Sequence, residues 1–80
     1  MDVILPRIDP EMTEGTIVKW YKKTGECVKK GEALFVLETG KVTVDIEAPE
    51  SGKLTIIMDA GTTASVGTVI ARIDPDPGCV

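Results

Sequence analysis

The chain of 80 residues has no histidine, two cysteines, and a single tryptophan, tyrosine and phenylalanine. Each shortage removes a class of function. Without an imidazole, a cysteine nucleophile has no ordinary base beside it, and zinc loses its usual nitrogen ligand. Three aromatics make no stacking platform, and a formal net charge of −4 opposes a phosphate backbone, so nucleic acid is excluded as a partner. No apolar stretch is long enough to span a bilayer and no charged-then-apolar leader follows Met1, so no membrane partner is expected. Cys27 falls in a predicted turn and Cys79 in the tail, where a bridge would clip down only the terminus. Two cysteines do not make a disulfide framework, and a reducing compartment is the expected setting. That setting is the cytoplasm, or the mitochondrial matrix if a presequence has been removed.

What the chain does have is glycine and short apolar segments. Eighty residues make one domain, whose core removes roughly 60 to 65% of the unfolded surface from water and leaves no room for a large catalytic cleft. No segment carries a helical period over three turns. Apolar or alternating runs are separated instead by Gly, Pro, Asp and Thr clusters, the pattern of an all-β sandwich or barrel. The predicted strands are Val3–Leu5, Gly15–Tyr21, Cys27–Val28, Ala33–Glu38, Val42–Glu47, Gly52–Met58, Thr63–Ala64 and Thr68–Ile73. Asp74-Pro75-Asp76-Pro77-Gly78 ends the domain, because successive prolines cannot donate to a ladder. The expected organisation is a domain over 1–74 and a tail or start of a linker over 75–80.

The chain also repeats itself. Glu14-Gly15-Thr16-Ile17-Val18 is echoed by Ser51-Gly52-Lys53-Leu54-Thr55, and the pair Gly25 and Gly31 by Gly61 and Gly67, each pair followed by an apolar strand. Two copies suit a quasi-two-fold pair of sheets closing one shared core, rather than a solenoid. The four paired glycines are expected at turn positions of positive φ. Trp20 and Tyr21 are expected to cover a strand flank, and Lys29 and Lys30 to form a solvated face. Glu11, Glu14, Glu26, Glu32, Glu38, Asp45, Glu47 and Glu50 read as a dispersed solubility surface, with no paired acid–base site among them.

Between the halves lies Glu38-Thr39-Gly40-Lys41, flanked by the apolar run Leu34–Leu37 and the alternating run Val42, Val44, Ile46. Glycine between two such runs marks a hairpin, and at the first central position it suits a two-residue turn. Pairing about Gly40-Lys41 sets Leu37 opposite Val44 and Phe35 opposite Ile46, making one face wholly apolar. A slip of one residue would set Phe35 and Leu37 opposite Asp45 and Thr43, while giving Leu34 and Val36 apolar partners. The first register is favoured, and it puts Lys41 at the tip. On the turn alone, Lys41 reads as an ordinary solvated residue.

Nearly the whole chain resembles the lipoyl domains of dihydrolipoyl acyltransferases. Glu38-Thr39-Gly40-Lys41-Val42 is similar to their modification loop, usually Glu-Thr-Asp-Lys followed by Ala or Val. Glu11–Trp20 resembles their first-strand region, Gly25–Leu34 their loop and return strand, and Ala48–Gly52 their post-hairpin turn. The resemblance implies a flattened β-barrel/sandwich hybrid of two four-stranded antiparallel sheets. It further implies lipoic acid in amide linkage to Lys41 Nζ, with Glu38, Thr39, Gly40 and Val42 as flanking recognition residues and no catalytic role for the domain itself. The implied partners are a lipoate ligase or a lipoyl/octanoyl transferase, a thiamin-dependent 2-oxo acid decarboxylase, an acyltransferase core and a dihydrolipoyl dehydrogenase, within a 2-oxo acid dehydrogenase complex. Met12-Thr13-Glu14-Gly15-Thr16 leans toward the pyruvate, acetoin or branched-chain type. One residue departs from the pattern: Gly40 stands where the family usually has Asp, which adds mobility and removes a negative charge beside the amine.

Two other readings share the fold. A biotin carboxyl carrier resembles lipoyl domains down to the hairpin lysine but usually reads Met-Lys-Met, where this chain has Gly40 and Val42. An unmodified barrel-sandwich interaction module would not require the lysine at the tip. The glycine-cleavage carrier, which also bears lipoate, is longer and adds helical segments.

Overall fold

Eight strands alternate with tight turns in the computed structural model, which describes residues 1–79; Val80, the last residue of the expected tail, lies outside the described residues. They are β1 (Asp2–Ile4), β2 (Glu14–Trp20), β3 (Cys27–Val28), β4 (Ala33–Glu38), β5 (Thr43–Glu47), β6 (Gly52–Ile56), β7 (Thr63–Ser65) and β8 (Val69–Asp74). All eight expected strands are present, with ends shifted by a residue or two. Val42 falls outside β5 because its carbonyl accepts the Thr39 N–H at 3.0 Å and closes the turn. No helix occurs among the described residues.

The strands form two antiparallel four-stranded sheets, ordered β1-β8-β6-β3 and β5-β4-β2-β7. Replacing each strand of the first sheet by the one four places on in the chain, counted cyclically, gives the second sheet in the same order. The repeat in the sequence is therefore a two-fold relation in space. Individual bonds obey it as well. Gly31 N–H donates to the Ala48 carbonyl and Gly67 N–H to the Leu5 carbonyl, while Ala48 N–H and Leu5 N–H donate to Glu32 and Thr68. The four paired glycines share φ values of 91–95°.

Alternation drives one face of each sheet inward. Ile17, Leu34, Phe35 and Leu37 from one sheet meet Leu54, Ile70 and Ile73 from the other, each buried at 0 or 1% exposure. Corresponding positions of the two halves, such as Ile17 and Leu54 or Leu37 and Ile73, belong to one buried cluster, and no polar residue is buried among the described residues. At about 25 cal/mol per Å² of apolar surface buried, this core is the main stabilising term for so short a chain. Trp20 lies opposite Phe35 in the β2–β4 ladder with ring centroids 4.9 Å apart, and its indole N–H donates to the Met58 carbonyl at 3.0 Å. It covers the core edge, as its place in the sequence suggests.

Gly52 opens the second repeat where strands approach closely. Its φ is +155°, and a Cβ there would run into the Asp74 backbone carbonyl. Its counterpart Gly15 would meet Leu37 Cδ1 and Met12 Cε, each at 2.8 Å. At Gly52 the obstacle is backbone, which excludes a side chain outright, whereas at Gly15 the Leu37 and Met12 side-chain ends would have to shift.

The cysteines require a correction. Cys27 and Cys79 are joined in a disulfide with Cα atoms 5.2 Å apart, and the described residues hold no free thiol. Cys27, Lys53 and Asp74 occupy one row across β3, β6 and β8. A tail leaving β8 therefore needs to cross only β6, about 10 Å at two strand spacings. Asp76 directs it: its side chain pairs with Lys53 Nζ at 3.7 Å and accepts the Gly78 N–H, and its carbonyl accepts the Cys79 N–H. Residues 75–79 are thus stapled along the first sheet.

Gly52→Ala is expected to lower stability by about 2 kcal/mol or more, since both φ and the Asp74 carbonyl oppose a Cβ. Chemical denaturation of the two proteins measures it, and equal midpoints would contradict the close approach. Reducing the disulfide is expected to lower the melting temperature. The loop spans 52 residues, for which chain entropy sets a limit of about 4 kcal/mol. Hairpin amide shifts at Thr39–Val42 should stay unchanged in the reduced protein.

Candidate functional site: the lysine at the β4–β5 turn

The β4–β5 ladder adopts the favoured register, with Leu37 opposite Val44, Phe35 opposite Ile46 and Glu38 opposite Thr43. The alternative slip does not occur, because it would take Phe35 and Leu37 out of the core and expose the faces that hold the sheets together. The register leaves Gly40 and Lys41 as the two central residues of the turn. Gly40 has φ +93° and no non-glycine residue among the described residues has positive φ, the pattern of a turn with glycine at its first central position. Thr39 completes it from the side chain. Its Oγ1 lies 3.3 Å from the Val42 N–H and 3.5 Å from the Lys41 N–H, so backbone groups that would otherwise be free face an oxygen.

Lys41 projects from this frame with its side chain 65% exposed. Of the other flanking residues, Glu38 closes the ladder, Val42 is exposed, and a shallow groove lined by Glu14, Gly15, Thr16, Glu38, Thr39 and Thr63 runs up to Gly40. The Thr16 and Thr63 hydroxyls share a hydrogen bond of 2.8 Å in its floor. No enclosed chamber surrounds the amine, and the described residues hold no set of three His, Cys, Asp or Glu placed for a metal ion. An exposed primary amine on a fixed turn suits acylation by an enzyme that must reach it from outside. The turn beside it is open, since a Cβ added at Gly40 would touch nothing within 4 Å.

The sequence reading missed Asp9 at the site and assigned Glu11 to the dispersed solubility surface, which the structure corrects. Asp9 Oδ2 lies 3.3 Å and Glu11 Oε2 3.5 Å from Lys41 Nζ, both carried by the loop between β1 and β2. The signal available was the Asp9-Pro10-Glu11 turn itself, where an Asp side chain caps its own loop. Nothing local says that this loop lies against the hairpin. The Asp9 carboxyl is held below its ordinary value, first by the Glu11 backbone N–H and then by Lys41. Elsewhere Asp2 and Asp74 share the Arg72 guanidinium, each at 3.7 Å. Tyr21 donates its hydroxyl to Asp45 at 3.0 Å, which pushes the phenol pKa up, and Lys19 Nζ sits 5.1 Å from its ring centre.

An all-β barrel-sandwich of two related halves, presenting one lysine at an exposed turn, defines a class of carrier domain whose prosthetic group hangs from that amine. The biotin/lipoyl family model, described as "Biotin-requiring enzyme", matches residues 1–73, and the chain belongs to this family. The dihydrolipoyllysine-residue succinyltransferase component of the 2-oxoglutarate dehydrogenase complex of Bacillus subtilis is 40% identical over 78 residues, covering 96% of this chain and 19% of that protein. Its counterpart in Rickettsia typhi is 40% identical over 73 residues, covering 90% and 18%. The chain thus spans about a fifth of the length of these relatives. Among solved structures, the lipoyl domain of the 2-oxoglutarate dehydrogenase complex from Azotobacter vinelandii superposes with a TM-score of 0.76 at 29% identity, covering 92% of this chain and 95% of that one. What the chain shares with the acyltransferase components is their lipoyl carrier domain, not a catalytic domain. Lipoyl domains carry lipoic acid covalently on a lysine.

The positive φ at Gly40 decides what the departure from the usual Asp does to the turn. Gly40→Asp is expected to destabilise the hairpin by about 1 kcal/mol, and Gly40→Val by more, because a β-branched residue tolerates positive φ worst. Thermal melts of the three proteins check the order. An Asp variant as stable as the parent would mean that the turn accepts a side chain at this φ without cost.

Proposed function

We propose that Lys41 is the attachment point for lipoic acid and that the domain carries acyl groups between the active sites of a 2-oxo acid dehydrogenase complex. The observation that carries the reading is the position of Lys41 as the second central residue of a rigid two-residue turn, in a chain whose family attaches its cofactor to lysine. When attached, lipoic acid supplies a dithiolane that takes up an acyl group together with reducing equivalents. The chain's own part is presentation. The β4–β5 register fixes the turn, Thr39 braces it, and the exposed amine meets the modifying enzyme, a lipoate ligase or a lipoyl/octanoyl transferase. Glu38, Thr39, Gly40 and Val42 are the recognition residues beside it.

Tethering raises the effective concentration of the arm at each partner site, so transfer proceeds without a free intermediate. The partners in this reading are a thiamin-dependent decarboxylase, an acyltransferase core and a dihydrolipoyl dehydrogenase. The named relatives belong to 2-oxoglutarate complexes, which supports assigning the 2-oxoglutarate type. The lean of Met12–Thr16 toward the pyruvate, acetoin or branched-chain type finds no support among them. No helix among the described residues is long and apolar enough to cross a membrane. We place the domain in the cytoplasm, or in the mitochondrial matrix if a presequence is removed, a setting in which the Cys27–Cys79 bridge is open to reduction. In this reading residues 1–74 form the carrier and 75–80 a tail or the start of a linker, whose residues 75–79 lie against the first sheet.

Co-expression with a lipoate ligase is expected to give a single adduct by intact mass. Lys41→Arg abolishes it and Lys53→Arg leaves it in place. An adduct on Lys29 or Lys30, or biotin in place of lipoate, would overturn the assignment. Presentation has its own test. Inserting one glycine between Gly40 and Lys41 costs little loop entropy and leaves the melting transition largely intact, yet lipoylation is expected to drop at least tenfold. Unchanged modification would show that the fixed turn is not what the ligase reads.

A further inference from the structure

The loop between β1 and β2 is structured well beyond what a connection requires, and the carrier role leaves that unexplained. Asp9 Oδ1 accepts the Glu11 N–H and its carbonyl accepts the Met12 N–H, both at 2.9 Å. The Arg7 guanidinium donates to the Pro10 and Met12 carbonyls at 3.0 Å, and Met12 itself is buried in the core. The second Asp9 oxygen is thereby aimed at Lys41 Nζ from a fixed frame, and Glu11 approaches the same amine. Loop and turn are each set by their own bonds, and an ammonium bridges them.

We propose that the contact of Asp9 and Glu11 with Lys41 is a tether specific to the unmodified domain, and that acylation of Nζ breaks it, so that the loop beside the arm registers the modification state. The inference rests on Lys41 being the modified lysine. In the modification, Nζ bonds to the carboxyl carbon of an activated lipoyl group supplied by the modifying enzyme. The activating group leaves with the bonding pair, and the ammonium gives up two protons. A site with two carboxylates and one cation becomes a site with two carboxylates and a neutral amide. The two ion pairs are lost, and the carboxylates are left to repel each other. The arm of the modified domain then leaves from a more anionic face beside a loop no longer tied to the turn, which a basic partner surface distinguishes from the unmodified form.

The tether has a titration signature that a merely structural role for Asp9 would lack. The charged side chains set around Asp9 are Lys41 from the hairpin and Arg7 and Glu11 from its own loop. Its carboxyl is held down first by the Glu11 backbone N–H, which acylation leaves in place, and next by Lys41, which acylation neutralises. Carboxyl-carbon NMR titrations would compare three proteins: unmodified, enzymatically lipoylated with the mass verified, and Lys41→Gln. Asp9 is expected to titrate at higher pH in the second and third than in the first, while remaining below an ordinary aspartate. Glu32, whose carboxyl is lowered first by the Lys29 backbone N–H, serves as the internal control and should not move. Amide exchange at residues 8, 9, 11 and 12 should quicken in step. An Asp9 titration identical in unmodified and lipoylated protein overturns the tether. If the ligase leaves the chain unmodified, the mass alone sinks the functional reading. Lys41→Gln then still decides whether the charge holds the loop: a raised Asp9 midpoint supports the tether, and an unchanged one overturns it.

Discussion

Everything in this molecule depends on two related sheets sharing one apolar interior. Neither half could bury its own inward face. Ile17, Leu34 and Leu37 need Leu54, Ile70 and Ile73 opposite them, and the converse holds equally. With extents of 39 × 19 × 18 Å the body is one core thick, so there is no interior volume to spare for a ligand or a reaction. Function is driven to the surface, and the question becomes which surface point the fold holds most firmly.

The two-fold relation answers it. The turn between β4 and β5 corresponds, under exchange of the halves, to the junction between β8 and β1, where the chain has its two ends. There the Met1 ammonium donates to the Ile73 carbonyl at 2.8 Å and lies 3.9 Å from the Asp74 carboxylate. Nearly symmetric architecture thus carries an unbroken covalent turn at one end and chain termini at the other. An arm attached at the turn is anchored by the register of a continuous ladder and points away from any polypeptide that continues beyond the domain. The Cys27–Cys79 bridge and the Lys53–Asp76 pair hold residues 75–79 against the first sheet.

Charge at the turn is arranged with similar economy. An exposed pair of this kind contributes little to stability, on the order of 0 to 1 kcal/mol. Asp9 and Glu11 therefore matter less for holding the fold than for what surrounds Nζ before and after it loses its charge. Gly40 shows the complementary constraint. At φ +93° glycine adopts without strain a backbone conformation that an aspartate would resist.

Much of this was legible in the residues. Alternation of Val42, Val44 and Ile46 against Phe35 and Leu37 determined the hairpin register, because a period-2 pattern allows only one pairing that buries the larger side chains together. The spacing of Gly25, Gly31, Gly61 and Gly67 announced the duplication, and Gly40 announced the turn. Tertiary structure alone decided three things: that Asp9 and Glu11 lie against Lys41, that Cys79 reaches Cys27, and that Gly52 must yield to the Asp74 carbonyl. Each joins segments far apart in the chain and depends on which strand lies beside which. Local sequence encodes the period and the turn, whereas the order of strands across a sheet is set by burying all the faces at once.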